Sequence, residues 1–193
     1  KEGGFDIVLA NPPYVRQELI KHLKPDLKKV FPEVFTGVAD LYCYFYARAV
    51  QLLRPGGMLA FISSNKWFRA GYGEKLRKFM ADKCAVSSIT DFGELPIFEG
   101  AATFPMIFVA RKNPSSLEED QGEIRSASHS RVRGNPEPTV FTQVKSLDPP
   151  YPNVLAVIRR AGSALPPGAI KGADWMLSDS ASALRIQKMK AAS

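Results

Sequence analysis

An apolar run that stops on two consecutive prolines is the tightest constraint in this chain. Phe5-Asp6-Ile7-Val8-Leu9-Ala10 reads as a short buried strand with a β-branched pair at its centre. Asn11-Pro12-Pro13-Tyr14 follows directly, and the two prolines fix φ twice and remove two backbone donors. The chain must therefore leave the strand as a rigid loop. Its prolyl carbonyls and the Asn11 side chain are left as outward acceptors beside an aromatic ring. Aligned acceptors of this kind suit a planar amino group, such as the edge of an adenine. The Asn11 amide oxygen and the Pro12 carbonyl accept from the –NH2, and Tyr14 stacks on the ring. Taken alone, the tetrapeptide is equally a strand-ending turn, since Asn and Pro are common turn residues.

The rest of the chain alternates strands and helices. Residues 15–37 carry a basic stretch from Lys21 to Lys29, broken by Pro25, and read as a long loop with one or two short helices. Arg16, Lys21, Lys24, Lys28 and Lys29 are candidates for phosphate contacts; a solvated basic face is the alternative for each. Asp40 to Leu53 is predicted as a helix with Asp40 as N-cap and Pro55-Gly56-Gly57 as its stop signal. Met58 to Ile62 is a second strand, Glu74 to Asp82 a helix, and Val86 to Phe92 a third strand. This rhythm predicts an α/β fold with a mainly parallel sheet covered on both faces. Ligands bind such sheets at the carboxyl ends of the strands, which brings Asn11, Ser63, Asn65 and Asp91–Gly93 to one edge.

The connection from Phe92 to the next strand, Phe104 to Ala110, is too short for a helical crossover, so these two strands are expected to pair antiparallel. Pro105 points to an edge or a bulge. Phe98 falls in that connection, either projecting over the active edge or anchoring the loop. From Asn113 to Pro138 the composition turns to Ser, Glu, Arg, Gly and Pro, as expected of a surface connector. A strand at Thr139–Val144, a helix at Asn153–Arg160 and a last helix over Ala181–Lys190 are expected beyond it. Domain organisation is thus read as 1–112 followed by a mostly helical and irregular extension, 113–193.

Composition bounds the function. No run of about eighteen apolar residues exists to span a membrane. The two cysteines, Cys43 and Cys84, and the two histidines form no cluster at metal-site spacing, so no metal is expected. Two unclustered thiols fit a reducing cytoplasm. The net charge of +7 favours an anionic partner, most often nucleic acid. The N-terminus lacks a signal peptide and opens almost directly into a strand, so the chain is expected to be a fragment of a longer polypeptide.

Together, Asn11-Pro12-Pro13-Tyr14, Ala39-Asp40-Leu41-Tyr42, Leu53-Arg54-Pro55-Gly56-Gly57, Ile62-Ser63-Ser64-Asn65-Lys66-Trp67, Asp91-Phe92-Gly93, Ile97-Phe98 and Ala102-Thr103-Phe104-Pro105 resemble the gamma class of adenine-specific DNA methyltransferases. In detail they are similar to the Type IIG restriction–modification methylases, over about Phe5 to Lys112. The resemblance implies strands 4 to 7 of a Rossmann-like class I methyltransferase sheet, S-adenosylmethionine as methyl donor and double-stranded DNA as partner. It implies a flipped adenine held by Asn11 and the Pro12 carbonyl, stacked on Tyr14, with Phe98 as the second aromatic. Pro13 and Phe45 match positions near the cofactor.

The family's glycine-rich cofactor loop lies upstream of the first strand present here, and its target-recognition domain follows the catalytic domain. The resemblance therefore implies that the chain alone binds cofactor poorly and is inactive, its partners being the missing N-terminal half and that recognition domain. The same loop chemistry serves methyltransferases of RNA or of a protein glutamine amide. A non-catalytic DNA-binding or scaffold subunit is the alternative of a different class.

Overall fold

Strand and helix alternate as the pattern requires. The computed structural model describes residues 3–98, 104–114, 137–147 and 153–177. Strand β1 (Phe5–Ala10) leads into the long loop, which carries a single helical turn at Lys21–Leu23 and helix α1 (Lys24–Val30). Pro25 stands in the first turn of α1, where its missing N–H costs no hydrogen bond. Then come α2 (Leu41–Leu52), β2 (Leu53–Ser64), α3 (Glu74–Lys83), β3 (Cys84–Asp91) and β4 (Pro105–Lys112). The chain continues through β5 (Val140–Gln143), α4 (Val154–Ala161) and three two-residue strands, β6 (Ser163–Ala164), β7 (Ile170–Lys171) and β8 (Asp174–Trp175). The helix expected over 181–190 and most of the 113–138 connector lie outside the described residues.

Six strands form one sheet in the order β1-β2-β4-β3-β5-β6. β1, β2, β3 and β5 share one direction, and β4 runs against both of its neighbours. The expected antiparallel pair is β3 with β4, but β4 is inserted between β2 and β3. Pro105 therefore marks neither an edge nor a bulge. It is the first residue of a central strand, a position where a missing donor is tolerated. The irregularity falls in β3 instead, between Val86 and Ser88.

β2 also begins earlier than expected, directly from α2. Pro55-Gly56-Gly57 does not stop the helix; it forms a register break opposite β1, between the partners of Phe5 and Ile7. Gly56 takes φ +76° there. A Cβ on Gly57 would meet the Phe5 carbonyl at 2.8 Å.

Helices α2 and α3 cover one face. Register places Val8, Leu59, Ala110 and Val86 in one row across the sheet, and Ala10, Phe61, Phe108 and Ile89 in the next. Tyr46 of α2 packs its ring on Phe61, Phe108 and Trp67 at centroid distances of 4.9, 5.5 and 5.2 Å. Its hydroxyl meets Ser63 Oγ at 2.7 Å, which satisfies two buried polar groups at once. Full burial of each such Leu or Phe contributes about 1.5–3 kcal/mol.

The opposite face departs from the two-sided cover the rhythm predicts. Ile7, Met58 and Arg111 form one of its rows, and Leu9, Ala60 and Val109 the next. Met58, Ala60, Ile62, Ile107 and Val109 are only half-buried among the described residues. β1, expected to be buried, is the edge strand: Phe5, Ile7 and Leu9 are 61%, 60% and 72% exposed.

Residues beyond 112 share this core. β5 pairs with β3, and the β7–β8 hairpin lies against α3. Trp175 stacks on Phe108 at 6.1 Å and 13° and meets Trp67 at 5.3 Å. Arg77 of α3 donates to the carbonyls of Ala173 (2.5 Å) and Trp67 (2.6 Å), fastening the hairpin to the turn after β2. Among the described residues no helix is long and apolar enough to cross a membrane.

Candidate active site

The register gathers the chemistry-bearing residues at one edge. β1 ends beside Phe61 of β2, β2 ends at Ser64 opposite Pro105, and β3 ends at Asp91 opposite Met106. Asn11 and Asn65 directly follow β1 and β2, Asp91 closes β3, and Phe104 immediately precedes the antiparallel β4.

Asn11 is exposed, and its side chain makes no hydrogen bond among the described residues. Pro12 is buried and Pro13 exposed. The loop differs from expectation in one acceptor: the Pro13 carbonyl is taken by the Val15 N–H at 3.0 Å. The tight turn that results leaves the Pro12 carbonyl and the Asn11 amide as the acceptor pair. Asp40 holds this loop from behind. It stands at the N-cap of α2 but makes no side-chain cap bond; its Oδ1 accepts from the Gln17 N–H at 2.9 Å instead. The Leu41 N–H donates to the Val15 carbonyl at 3.0 Å. Two bonds thus tie the segment after Tyr14 to the start of α2.

Tyr14 lies between two rings. Tyr42 is 6.2 Å away at 46°, and Phe98 is 6.3 Å away at 59°. These distances lie within the range of direct aromatic contact. Tyr42 is itself fixed by a 2.8 Å hydroxyl–hydroxyl bond to Tyr72. Burial raises the Tyr14 and Tyr42 phenols above their ordinary range and pushes Tyr72 up to about 12, so all three remain neutral. Burial likewise raises the Cys43 thiol and pushes Cys84 up to about 12, and neither supplies a thiolate nucleophile.

Across the edge, Asn65 Nδ2 donates to Asp91 Oδ1 at 2.8 Å, and the same oxygen accepts from the Gly93 N–H at 2.9 Å. The Asn65 N–H donates to the Phe104 carbonyl at 2.8 Å. Phe104 holds φ +49°, a left-handed conformation rare for a bulky side chain, and Lys66 Nζ lies 5.0 Å from its ring centre. Such backbone strain persists where surrounding bonds over-determine it.

The basic residues divide. Arg16, Lys21, Lys28 and Lys29 are exposed. Lys24 is committed to the loop, donating to Gln17 Oε1 and the Gly37 carbonyl, both at 2.7 Å. Phe45 is 37% exposed in a helix whose neighbouring residues Tyr44 and Tyr46 are buried. Sequence reasoning missed Tyr42 as a ring partner of Tyr14 and Asp40 as the loop's anchor. The Ala39–Tyr42 motif carried both residues, but their roles depend on a contact between segments more than twenty residues apart.

Known proteins resemble this chain in sequence and in fold. The chain is 40% identical over 111 residues to the Type II methyltransferase M.BstVI of Geobacillus stearothermophilus, covering 55% of this chain and 19% of that protein. It is 36% identical over 114 residues to the Type II methyltransferase M.XhoI of Xanthomonas vasicola, covering 58% of this chain and 21% of that protein. The chain thus spans about a fifth of the length of these relatives. The fold resembles a solved Listeria monocytogenes protein described as a class I S-adenosylmethionine-dependent methyltransferase, with TM-score 0.54 and 19% identity over 82% of this chain and 43% of the other. Residues 1–98, half of the chain, match the family model for the Eco57I restriction-modification methylase, and the chain belongs to that family.

Proposed function

We propose that this chain is the target-base half of an S-adenosylmethionine-dependent enzyme that methylates adenine N6 in double-stranded DNA, within a restriction–modification or related defence system. The observation that carries the reading is the meeting of Tyr14 and Phe98, remote in sequence, beside an unengaged Asn11–Pro12 acceptor pair. An adenine extruded from the duplex offers a flat ring and an –NH2 to that cleft.

Asn11 Oδ1 and the Pro12 carbonyl accept the two amino hydrogens. Doing so withdraws the nitrogen lone pair from ring conjugation and aims it, so catalysis is orientation and electrostatics rather than covalent chemistry. Tyr14 and Phe98 hold the ring plane, and Phe98 swings from its contact with Tyr14 to admit it. The cofactor supplies an electrophilic methyl group when bound. Phe45, an exposed ring on a buried helix, and Pro13 fit an apolar contact with it, while the glycine-rich cofactor loop belongs, on this reading, upstream of β1. Arg16, Lys21 and Lys28 meet backbone phosphates, with Lys24 bracing the loop that carries them.

On this reading residues 1–112 form the C-terminal half of the catalytic domain, β5 and the β7–β8 hairpin complete its sheet and core, and the chain beyond them leads toward a target-recognition domain. The open β1 edge and the half-bare sheet face are where an upstream half of the same polypeptide would pair and pack. The test is transfer of labelled methyl from S-adenosylmethionine to duplex DNA by the full-length product of the reading frame. Label on adenine N6, reduced at least about 100-fold by Asn11→Ala, is expected. Label on RNA or protein alone would overturn the substrate, and unchanged transfer by Asn11→Ala would overturn the catalytic assignment.

A further inference from the structure

Asn65 touches both ends of the connection that carries Phe98. Its side chain holds the outgoing end at Asp91, and its backbone N–H holds the returning end at Phe104. From Asp91 to Phe98 the path is a chain of short turns. The Gly93 N–H returns to Asp91 Oδ1, the Leu95 N–H to the Phe92 carbonyl at 3.0 Å, and the Ile97 N–H to the Leu95 carbonyl at 2.9 Å. Gly93 takes φ +56°, which a glycine adopts without a Cβ penalty. Phe92 is pinned by its N–H to the Pro105 carbonyl at 3.1 Å. The place of the Phe98 ring against Tyr14 is therefore set by the geometry at Asp91. The Asp91 backbone is held by its pairing with Met106 and Gln143 and by the Val144 N–H on its carbonyl at 2.9 Å, and its Oδ1 is oriented by the Gly93 N–H and by Asn65 Nδ2, since a carboxylate can only accept.

We infer that Asn65 is a positioning residue for the reaction: it clamps the neck of the Phe98 connection and so sets the second wall of the base cleft. This rests on the proposed function of the cleft. Asn65 does not touch the base. It follows directly from β2, the strand next to the one that delivers Asn11, so the clamp references the Phe98 wall to the strand beside the acceptor pair. The pair is not exchangeable: Asp91 Oδ1 accepts from both Asn65 Nδ2 and the Gly93 N–H, so an amide at 91 that keeps its oxygen on Gly93 offers no donor to a carboxylate at 65. A carboxylate at 65 alone faces Asp91 with no donor between them.

The experiment uses the full-length protein and a duplex with 2-aminopurine at the target adenine, whose fluorescence reports extrusion and stacking. Steady-state kcat and KM on unmodified duplex are measured alongside. Asn65→Asp is expected to lower kcat/KM by about 100-fold, as for a misplacement of about 1 Å, and to change the fluorescence of the bound base as Phe98→Ala does. Asn65→Gln, which keeps an amide donor on a side chain one methylene longer, is expected to retain more of both than Asn65→Asp does. In a Phe98→Ala background, Asn65→Asp should add less than about a twofold further loss, because the clamp acts through that ring. If Phe98→Ala is damaging and Asn65→Asp multiplies onto it in full, the inference is overturned while the site reading stands. If Phe98→Ala leaves both rate and fluorescence intact, the site reading falls and the inference with it. Should Asn65→Asp not fold, Asn65→Ala decides: a folded protein with native fluorescence overturns the clamp, and the fluorescence of Phe98→Ala supports it.

Discussion

Phe61 and Phe108 are 2% and 0% exposed on one face of the sheet, whereas Leu9 keeps 72% of its surface open on the other, although the three lie in adjacent strands. The two faces are built from the same kinds of residue. Phe5, Ile7, Leu9, Met58, Ile62, Ile107 and Val109 are as apolar as Leu59, Phe61, Phe108 and Ala110. What differs is the cover. Over the first face α2 and α3 bring Tyr42, Tyr46, Leu76, Phe79 and Met80, and the turn after β2 brings Trp67. Over the second, among the described residues, α4 lies against β5, toward the far end of the sheet from β1. Strands apolar on both sides are the mark of an interior parallel sheet. The lesson is that residue pattern specifies a demand for burial, while its satisfaction depends on which segments reach it.

The largest expected effect lies on the covered face. Trp67 contacts Tyr46, Phe68, Phe108 and Trp175, so Trp67→Ala removes the ring that joins α2, β4 and the β7–β8 hairpin. Stability should fall by about 3–5 kcal/mol in urea denaturation. A loss below about 1 kcal/mol would mean that this face is not the principal core. The open face should behave in the opposite way. Leu9→Lys on the 193-residue chain is expected to stay within about 0.5 kcal/mol of the parent, as for an exposed site. In the full-length product the same change should cost about 2–3 kcal/mol, because the proposed upstream half buries that position. Equal, small effects in both would remove the argument that β1 is an interior strand of the whole protein.

This contrast also marks what was legible in the sequence. Elements with a strong local period, such as α2 and α3, are found within about two residues of their predicted ends. β1 is found as a strand, but not its place at the edge, because period does not say which strands lie beside it. The position of β4 between β2 and β3 was equally hidden, since Pro105 argues locally for an edge and only the pairing of Ser64 with Pro105 shows otherwise. At the site, Asn11, Pro12 and Tyr14 are a contiguous motif, and Phe98 was reached through the order of motifs. The supports (Asp40 on Gln17, Tyr42 on Tyr72, Asn65 on Asp91) are side-chain contacts across 23, 30 and 26 residues, for which no local signal exists.

A titration sharpens the comparison further, because ionisable rings are concentrated under the cover. Burial raises Tyr42, Tyr44, Tyr46 and Tyr72. In the unfolded chain these phenols ionise near pH 10. The folded chain keeps their protons, so the stability they contribute is fully present below about pH 10 and falls as pH rises, while the unfolded chain releases protons the native state retains. Tyr42→Phe takes one phenol out of this balance. The fall in stability between about pH 10 and 11 should become shallower by up to about 1.4 kcal/mol per pH unit. Denaturation midpoints at several alkaline pH values measure it, and an unchanged slope would show that Tyr42 ionises freely in the native state.

The smallest expected effect is at the open edge. Arg54 Nε lies 2.6 Å from Asp6 Oδ1, joining β1 to the register break in β2, but the side chains are 50% and 76% exposed. Solvent screens such a pair, so Arg54→Ala should cost less than about 1 kcal/mol, and less again in high salt. The same protein should therefore lose little from this charged tie at β1 and much from Trp67. A loss above about 2 kcal/mol for Arg54→Ala would reverse that order: β1 would then be held by charge at its own edge rather than by apolar cover, and the half-bare face would need no partner to explain it.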